Sequence, residues 1–436
     1  MVKNEEDFLE DALRSAVGFC DELIVVDTGS TDRTIEIAQD MGATVSHFPW
    51  INDFSAARNE TLRQANGQWV AILDADERFV GQQPDAIRQY LTPGPSYPFE
   101  ALMLNVTNTR LDGSPISSFY SVRVFPRDQR LGYTGRVHNQ FGALIEDAPK
   151  IAATRYADLG IIHLGYDPEL YKSRQKAARS LPLIEATVRE DPSNHQQRFY
   201  MGREYLTLGR IDEAIAALQL AFDGIVKTGN GPLVGAATHL IQALLSSDAP
   251  AVDAVKIGQQ AVQLQAKHPD LWFDVGRALI RAGANEAAID AILRALSCLS
   301  EHGLGDQIRL QHRRWEAHEL LGQLYWDQAR YPDAYEHFKR ALPDKPEATD
   351  GWPIMLNSLC ALAIELGDKD QIPSLLDKLL KHPKAPLAMF FFQLNRVRQS
   401  EGSDAARRFL QSGLAKCNRM ATDPEYLKVA KELGLL

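Results

Sequence analysis

The stretch Trp69-Val70-Ala71-Ile72-Leu73-Asp74-Ala75-Asp76-Glu77 decides the fold of the first part of the chain. Its first five residues form a continuous apolar run, which indicates a buried strand, and carboxylates follow directly. An earlier run of the same kind, Leu23–Val26, also ends in an aspartate, Asp27. Because parallel sheets bind ligands beyond the carboxyl ends of their strands, both runs place an aspartate where a ligand is expected.

Helical spacing separates these apolar runs. Apolar residues recur every three or four positions over 32–41 and 55–65, and a further short strand is predicted over Thr44–Phe48. The order strand, helix, strand, helix, strand predicts an α/β domain in which helices cover both faces of a parallel sheet.

Asp74-Ala75-Asp76 is a D-x-D motif that can bind a divalent cation. Two carboxylates on one side of a turn can approach Mg²⁺ or Mn²⁺, which prefer oxygen ligands and keep positions open for substrate phosphates. Such a cation would offset the charge of a departing diphosphate. The alternative is a chance D-x-D that caps a helix, but the position after a buried strand, beside another strand that ends in Asp27, favours the cation site.

Composition and charge exclude several classes of function. The chain has 436 residues, enough for two or three domains, and its formal net charge of −10 argues against general nucleic-acid binding. The sequence lacks a run of about 18 apolar residues, so no transmembrane segment is expected. Four widely spaced cysteines and a charged rather than apolar start predict reduced thiols, no signal peptide and a cytoplasmic protein. The motifs of dinucleotide-binding, P-loop and α/β-hydrolase sites are also missing.

A helical repeat follows the α/β part. One set of offsets, 3, 12, 16 and 19 residues after a glycine, recurs in three copies that begin at Gly202, Gly276 and Gly322. The pattern resembles the tetratricopeptide repeat, a helix pair in which glycine and alanine allow the backbones to approach closely. Weaker pairs over 355–430 extend it. A solenoid of such pairs is expected to present a concave surface to a protein or peptide, or to another copy of the chain.

Further motifs stand in a fixed order around the D-x-D. Val25–Asp32, Asp53–Glu60 and Leu73–Glu77 together resemble the family 2 inverting glycosyltransferases with the GT-A fold. The match is closest to the bacterial branch that carries tetratricopeptide repeats behind the catalytic domain. Later stretches with the same resemblance are Ser121–Pro126, Gly135–Gln140 and Ile161–Tyr166.

The resemblance implies three parts of the chain. They are an α/β GT-A nucleotide-diphospho-sugar transferase domain over 1–166, a linking helix over 167–195, and an all-α domain of tetratricopeptide-like repeats over 196–436.

The resemblance also implies how a UDP-sugar donor would be bound. Asp27 would accept a hydrogen bond from the base of the nucleotide. Arg58 and Asn59 would lie beside the nucleotide and the diphosphate. Arg136 and His138 would line the donor or acceptor pocket.

For the cation, Mn²⁺ or Mg²⁺, the resemblance implies a set of ligands late in the strands. Asp76 would be the principal ligand, and Asp74 would lie near the ribose or the metal. His163 would help to hold the metal or the diphosphate.

The chain departs from the family pattern in two places. Many relatives have a glutamate where this chain has Asn139, and an amide cannot remove a proton. Glu77 and His138 remain as possible catalytic bases. The segment Met1–Asn4 makes the first strand shorter than in relatives, which would weaken the edge of the nucleotide pocket.

Two hypotheses of function follow. The first is a metal-dependent inverting glycosyltransferase that moves a hexose or an N-acetylhexosamine from a UDP-sugar to a hydroxyl or thiol of a protein, peptide or saccharide. The alternative is a tetratricopeptide scaffold whose nucleotide-binding domain is catalytically inactive. Asn139 and the short first strand motivate the alternative, whereas the intact D-x-D counts against it.

Overall fold

The structure, a computed structural model, describes residues 1–81, 84–91, 99–148, 150–165, 176–301, 308–346, 349, 351–368, 370–382, 387–416 and 424–435. These residues form two compact units. The first comprises Met1–Gly283 with Ser297–His312, and the second comprises Ala284–Leu296 with Arg313–Leu436. The expected boundary between residues 166 and 167, together with the motif residue Tyr166, lies outside the described residues.

The first part of the first unit alternates helices and strands. The strands are β1 Ile24–Asp27, β2 Thr44–His47, β3 Trp69–Ala71, β4 Glu77–Gly81, β5 Phe99–Thr109, β6 Pro115–Pro126, β7 Leu131–Thr134, β8 Gln140–Ala143 and β9 Ile151–His163. The helices are α1 Leu9–Ala16, α2 Thr34–Asp40, α3 Phe54–Gln64 and α4 Pro84–Leu91. The predicted α/β class is therefore confirmed.

The sheet is mixed rather than wholly parallel. β1 and β2 pair in parallel, as the strand and helix order predicts. β3 instead pairs antiparallel with β6, with Val70 opposite Phe125, inside a five-stranded sheet of order β3-β6-β5-β9-β4. The prediction of parallel pairing was wrong for β3, because its partner is a long strand from later in the chain that local periodicity does not reveal. β7 and β8 form a separate antiparallel hairpin.

The main core of this part lies against the mixed sheet. Leu104 of β5, Val124 of β6 and Ile161 of β9 pack with Ile87 of α4 and Ala16 of α1. All five side chains are buried. This packing holds the end of β3 and the start of β4 in place, and the D-x-D motif lies between those two strands.

The rest of the described chain is helical. Its helices are α5 Lys176–Glu190, α6 His195–Thr207, α7 Ile211–Thr228, α8 Leu233–Leu245, α9 Ala251–Leu264, α10 Pro269–Arg281, α11 Asn285–Glu301, α12 Arg314–Asp327, α13 Tyr331–Ala341, α14 Trp352–Glu365, α15 Ile372–Lys381, α16 Leu387–Glu401, α17 Ser403–Lys416 and α18 Pro424–Glu432. Across the described ranges, none of the helices combines the length and the apolar character needed to cross a bilayer.

Glycines set the spacing of the repeat helices, as the sequence predicts. A Cβ atom at Gly202 of α6 would lie 2.5 Å from Leu218 Cγ of α7. In the second unit, a Cβ atom at Gly322 of α12 would lie 2.7 Å from the Phe338 ring of α13. No real Cβ tolerates such distances, so each helix pair depends on glycine at this position.

Replacing Gly322 by valine tests this packing. The added side chain cannot avoid the buried Phe338 ring, so Gly322→Val should lower the free energy of unfolding by about 1–3 kcal/mol. Denaturant titration followed by circular dichroism measures the change. Gln323→Val puts the same side chain on the exposed face of α12 and should change stability by less than about 0.5 kcal/mol. Equal effects of the two substitutions would contradict the packing argument.

Candidate functional site

A cavity of about 320 Å³ brings most of the candidate site residues together. It lies in the first unit, and its wall includes Arg58, Asp74, Asp76, His138 and His163. A larger space of about 390 Å³ lies along β1 and β3, but its wall contains neither Asp76 nor either of these histidines. The groups with acid, base or ligand chemistry therefore converge on the smaller cavity.

Asp74 forms an ion pair with a partly buried arginine. Arg58, on α3, donates a hydrogen bond to Asp74 Oδ1 at 2.5 Å and also lies over the Tyr133 ring at 5.0 Å. Burial disfavours the charged carboxylate, but the positive charges of Arg58 and Arg123 outweigh it, so the pKa of Asp74 lies below its ordinary value. Asp74 is thus a permanent anion that faces a cation of the protein itself.

Asp76 and His163 form the pair that best suits a metal ion. His163 Nε2 lies 3.5 Å from Asp76 Oδ1, and both residues line the cavity. Asn108 Nδ2 donates to Ser117 Oγ at 2.8 Å, so Asn108 Oδ1 is left to accept from His163 Nδ1 at 2.8 Å. This contact directs Nε2 toward Asp76, which is the arrangement that a second shell gives a metal-binding histidine.

The predicted ligand set is therefore brought together only in part. Asp76 and His163 meet, whereas Asp74 turns to Arg58. Within the described part of the chain, no cluster of three or more histidine, cysteine or acidic side chains could hold a metal ion. A carboxylate and an imidazole still fit a divalent cation that takes its remaining ligands from a substrate diphosphate and water.

Glu77 holds the turn that carries these carboxylates. Its carboxylate accepts from the backbone N–H of Asp74 at 2.9 Å and from both terminal nitrogens of Arg123 at 2.6 and 3.0 Å. The side chain is 1% exposed, and burial together with the charge of Asp74 raises its pKa. Glu77 does not line the cavity. Glu77 therefore stabilises the turn that carries Asp74 and Asp76. Its position does not support a role as the catalytic base.

The side chains of Asp27 and Asn59 also form hydrogen bonds with backbone groups and do not line the cavity. The Asp27 carboxylate accepts from the N–H groups of Gly29 and Ser30 at 2.9 and 3.1 Å, which closes the turn after β1. Asn59 donates to the carbonyl of Tyr133 at 2.9 Å and accepts from its N–H at 2.7 Å. The cavity wall contains the neighbour Thr28 instead of Asp27. The nucleotide contacts expected for Asp27 and Asn59 stay predictions.

The segment 135–139 lines the cavity with Val137, His138 and Asn139. The backbone of His138 is in the left-handed region, with φ at 49°, and its ring stacks on Tyr200 of α6 at 3.8 Å. Burial and the nearby charge of Arg203 lower the pKa of His138 to about 3, so the imidazole is neutral at pH 7. So weak a base is a poor proton acceptor. Arg136 pairs instead with Glu190 of α5 at 2.9 Å, outside the cavity wall.

Several lining residues were missed by the sequence analysis. Trp50 and Phe54 stack edge to face at 4.7 Å on one side of the cavity. The helices behind the α/β part contribute polar groups to the same wall, namely Arg179 and Ser180 of α5 with Arg203 and Glu204 of α6. Phe54 lies inside the Asp53–Glu60 motif, but no motif marks the positions on α5 and α6, because the sequence pattern of these helices indicates only which faces pack.

Comparison with known families agrees with the two-part fold. Residues 1–89 match glycosyl transferase family 2, and residues 169–224 and 306–349 match a tetratricopeptide repeat family. The chain thus has a family 2 glycosyltransferase domain at its N-terminus and tetratricopeptide repeats behind it, as the resemblance implies.

The individual relatives include a tetratricopeptide repeat protein and a glycosyltransferase. A TPR repeat-containing protein of Synechococcus elongatus is 32% identical over 194 residues, which cover 44% of this chain and 48% of that protein. The SPbeta prophage-derived glycosyltransferase SunS of Bacillus subtilis is 26% identical over 236 residues, 52% of this chain and 53% of SunS. The chain therefore spans about half the length of these curated relatives. Among solved structures, MamA is 18% identical, with 41% of this chain and 93% of MamA covered at a TM-score of 0.33.

The buried Glu77–Arg123 pair gives a prediction about stability. Arg123→Met leaves the Glu77 carboxylate buried without its partner and should lower the free energy of unfolding by about 3–5 kcal/mol. Thermal or denaturant unfolding measures it. As a control, Arg130→Met breaks the solvent-exposed pair with Asp128 and should change stability by less than about 1 kcal/mol. If Arg123→Met were as mild as this control, the turn would not depend on the buried pair.

Proposed function

We propose that this family 2 glycosyltransferase domain is a metal-dependent, inverting enzyme that moves a hexose or N-acetylhexosamine from a UDP-sugar to an acceptor hydroxyl or thiol. The observation that supports the proposal most is the Asp76–His163 pair in the wall of a 320 Å³ cavity. A volume of this size is within the usual range of small-molecule sites, about 300–1,000 Å³.

Asp76 and His163 would hold Mn²⁺ or Mg²⁺ in this proposal. The cation would neutralise charge that develops on the diphosphate as the bond to the sugar breaks. Arg58 adds a fixed positive charge at the same wall, and its contact with Asp74 keeps the guanidinium directed into the cavity region. Trp50 and Phe54 offer flat apolar surface, which suits the carbon-bearing faces of a nucleoside or a sugar ring.

The acceptor is proposed to be a protein, a peptide or a saccharide. Tetratricopeptide repeats form extended surfaces for protein binding, so we assign acceptor docking, a partner protein or self-association to the repeats of this chain. The helices α5 and α6 support a direct connection, since they contribute side chains to the cavity wall itself. The widely spaced cysteines keep the cytoplasm as the expected compartment.

A catalytically inactive scaffold is the alternative function. Asn139 in the cavity wall favours it, because a side-chain amide cannot accept the acceptor proton. Isothermal calorimetry with UDP and Mn²⁺, followed by mass spectrometry of incubations with UDP-sugars, separates the two. The enzyme should bind UDP in the presence of Mn²⁺ and consume a donor. The scaffold would bind peptide partners without turnover.

Substitutions at the metal pair give the sharpest test of the proposal. Asp76→Asn or His163→Gln removes one of two direct protein ligands, so Mn²⁺-dependent UDP affinity should fall by at least about 10- to 100-fold, the effect that is typical when an outer-shell partner is lost, with sugar transfer falling at least as far. Calorimetry of UDP at fixed Mn²⁺ measures the first effect, and UDP release from a UDP-sugar measures the second. Asp112→Asn, in the exposed turn between β5 and β6, is the control and should change neither.

One combination of results would contradict the proposed function. It is wrong if the protein with Mn²⁺ neither hydrolyses nor transfers sugar from any common UDP-sugar and if substitution of Asp76 leaves ligand binding unchanged.

A further inference from the structure

The first repeat departs from the other two at a buried position. The residue two places after the repeat glycine is Ala278 in the copy that begins at Gly276 and Leu324 in the copy that begins at Gly322, and both are buried. The same position in the first repeat is Glu204, which is 1% exposed. Packing of the helix pair does not require a carboxylate at this position, because the other two copies have apolar side chains there.

A second polar departure lies on the same helix. Five places before the repeat glycine, the first copy has Gln197, where the other copies have the buried residues Leu271 and Ala317. Gln197 donates from Nε2 to the carbonyl of Val137 at 3.1 Å. A polar residue that departs from the repeat pattern therefore contacts the segment 135–139 of the transferase domain.

Glu204 is placed among groups of the cavity. Arg203 donates to Glu204 Oε1 at 2.8 Å, and His138 Nε2 lies 3.9 Å from the same oxygen. Arg203 also approaches His138 Nε2 at 3.3 Å and the Tyr200 ring at 5.1 Å. An ion pair in a buried position is often no more stable than apolar residues of the same volume, so stability alone does not account for it.

The other carboxylates of the cavity wall belong to the donor side. Asp74 is paired with Arg58, and Asp76 lies against His163. Glu5, the remaining carboxylate of the wall, belongs to the N-terminal segment, where its N–H donates to Thr34 Oγ1 at 2.7 Å. Among the described lining residues, Glu204 is the carboxylate that the repeat helices supply.

Inversion needs a base away from the leaving group. An acceptor that attacks the anomeric carbon opposite the diphosphate must lose its proton on the side where it enters. The residues that would hold the diphosphate follow β3 and end β9, whereas Glu204 lies on α6 beside His138. His138 is neutral and too weakly basic, and Asn139 has no basic atom.

We propose that Glu204, on the first helix of the first repeat, is the catalytic base of the transfer reaction. This inference rests on the proposed function. The acceptor O–H or S–H proton passes to the Glu204 carboxylate while the acceptor atom forms its bond to the anomeric carbon. The bond between that carbon and the phosphate oxygen breaks, and its electron pair leaves with UDP. Arg203 and His138 position the carboxylate.

Two substitutions and one unusual nucleophile test the proposal. Glu204→Gln keeps the shape, and Glu204→Ala introduces the residue of the second repeat. With UDP-glucose or UDP-N-acetylglucosamine, Mn²⁺ and water as the acceptor, UDP release by either variant should fall about 10²- to 10⁴-fold. Azide has no proton to lose, so formation of the glycosyl azide, measured by mass spectrometry, should stay close to that of the wild type.

The controls separate a base from a packing residue. Glu185→Gln removes a carboxylate of α5 that accepts from the Tyr205 hydroxyl and does not line the cavity, so it should leave both reactions unchanged. Both Glu204 variants should keep Mn²⁺-dependent UDP affinity and should remain folded at the assay temperature, although the loss of one partner of the Arg203–Glu204 pair lowers their melting temperature.

Three results would overturn the assignment of Glu204. One is retention of water-dependent UDP release by both variants, and another is a parallel loss of the water and azide reactions together with UDP binding. The third is a wild-type protein that turns over no common UDP-sugar with water or azide, and this result, together with unchanged ligand binding on substitution of Asp76, also removes the proposed function.

Discussion

The buried ion pair between Glu77 and Arg123 is the interaction on which the site depends. Glu77 begins β4, Arg123 belongs to β6, and the same carboxylate accepts from the N–H of Asp74. The pair therefore joins two strands of the mixed sheet and closes the turn that carries the D-x-D motif. In the register of β4 and β9, Glu77 lies opposite His163, so fixing Glu77 also fixes where the histidine meets Asp76. Removing either partner would leave a buried charge without its counter-charge, which strongly favours the paired arrangement.

The site also depends on the position of the segment 135–139, which accepts hydrogen bonds from two different helices. The N–H of Phe54 donates to the carbonyl of Arg136 at 2.8 Å, while Gln197 of α6 donates to the carbonyl of Val137. Val137 itself is buried with Ile184 and Val188 of α5. His138 keeps its left-handed backbone because these contacts fix the residues around it. The first repeat helices therefore complete the cavity as well as continuing the solenoid.

Family motifs mix two kinds of residue that sequence alone cannot separate. Asp27 and Asn59 stand inside motifs that imply nucleotide binding, yet their side chains satisfy backbone groups of a turn and a hairpin. Asp76 and His163 stand in motifs of the same family and do face the cavity. A polar side chain at the edge of a sheet can bind either a ligand or the backbone that shapes the ligand site. Only the positions of the neighbouring N–H and C=O groups decide between them.

By itself, the sequence determined the two parts of the chain, the α/β order of the first, the glycine spacing of the repeats and the carboxylates after β3. These are local properties, because strand and helix periods and repeat offsets appear within a few tens of residues. Tertiary structure alone decided that β3 pairs with β6, that Asp74 meets Arg58 rather than His163, and that Glu204 lies beside His138. β3 and β6 lie far apart in the chain, and Glu204 and His138 meet only after a repeat helix has packed against the rest of the cavity wall. Arg58 and Asp74 are only 16 residues apart, but they belong to different elements whose packing the local sequence pattern does not give. In the sequence, a glutamate that is buried on a helix cannot be distinguished from one on the surface.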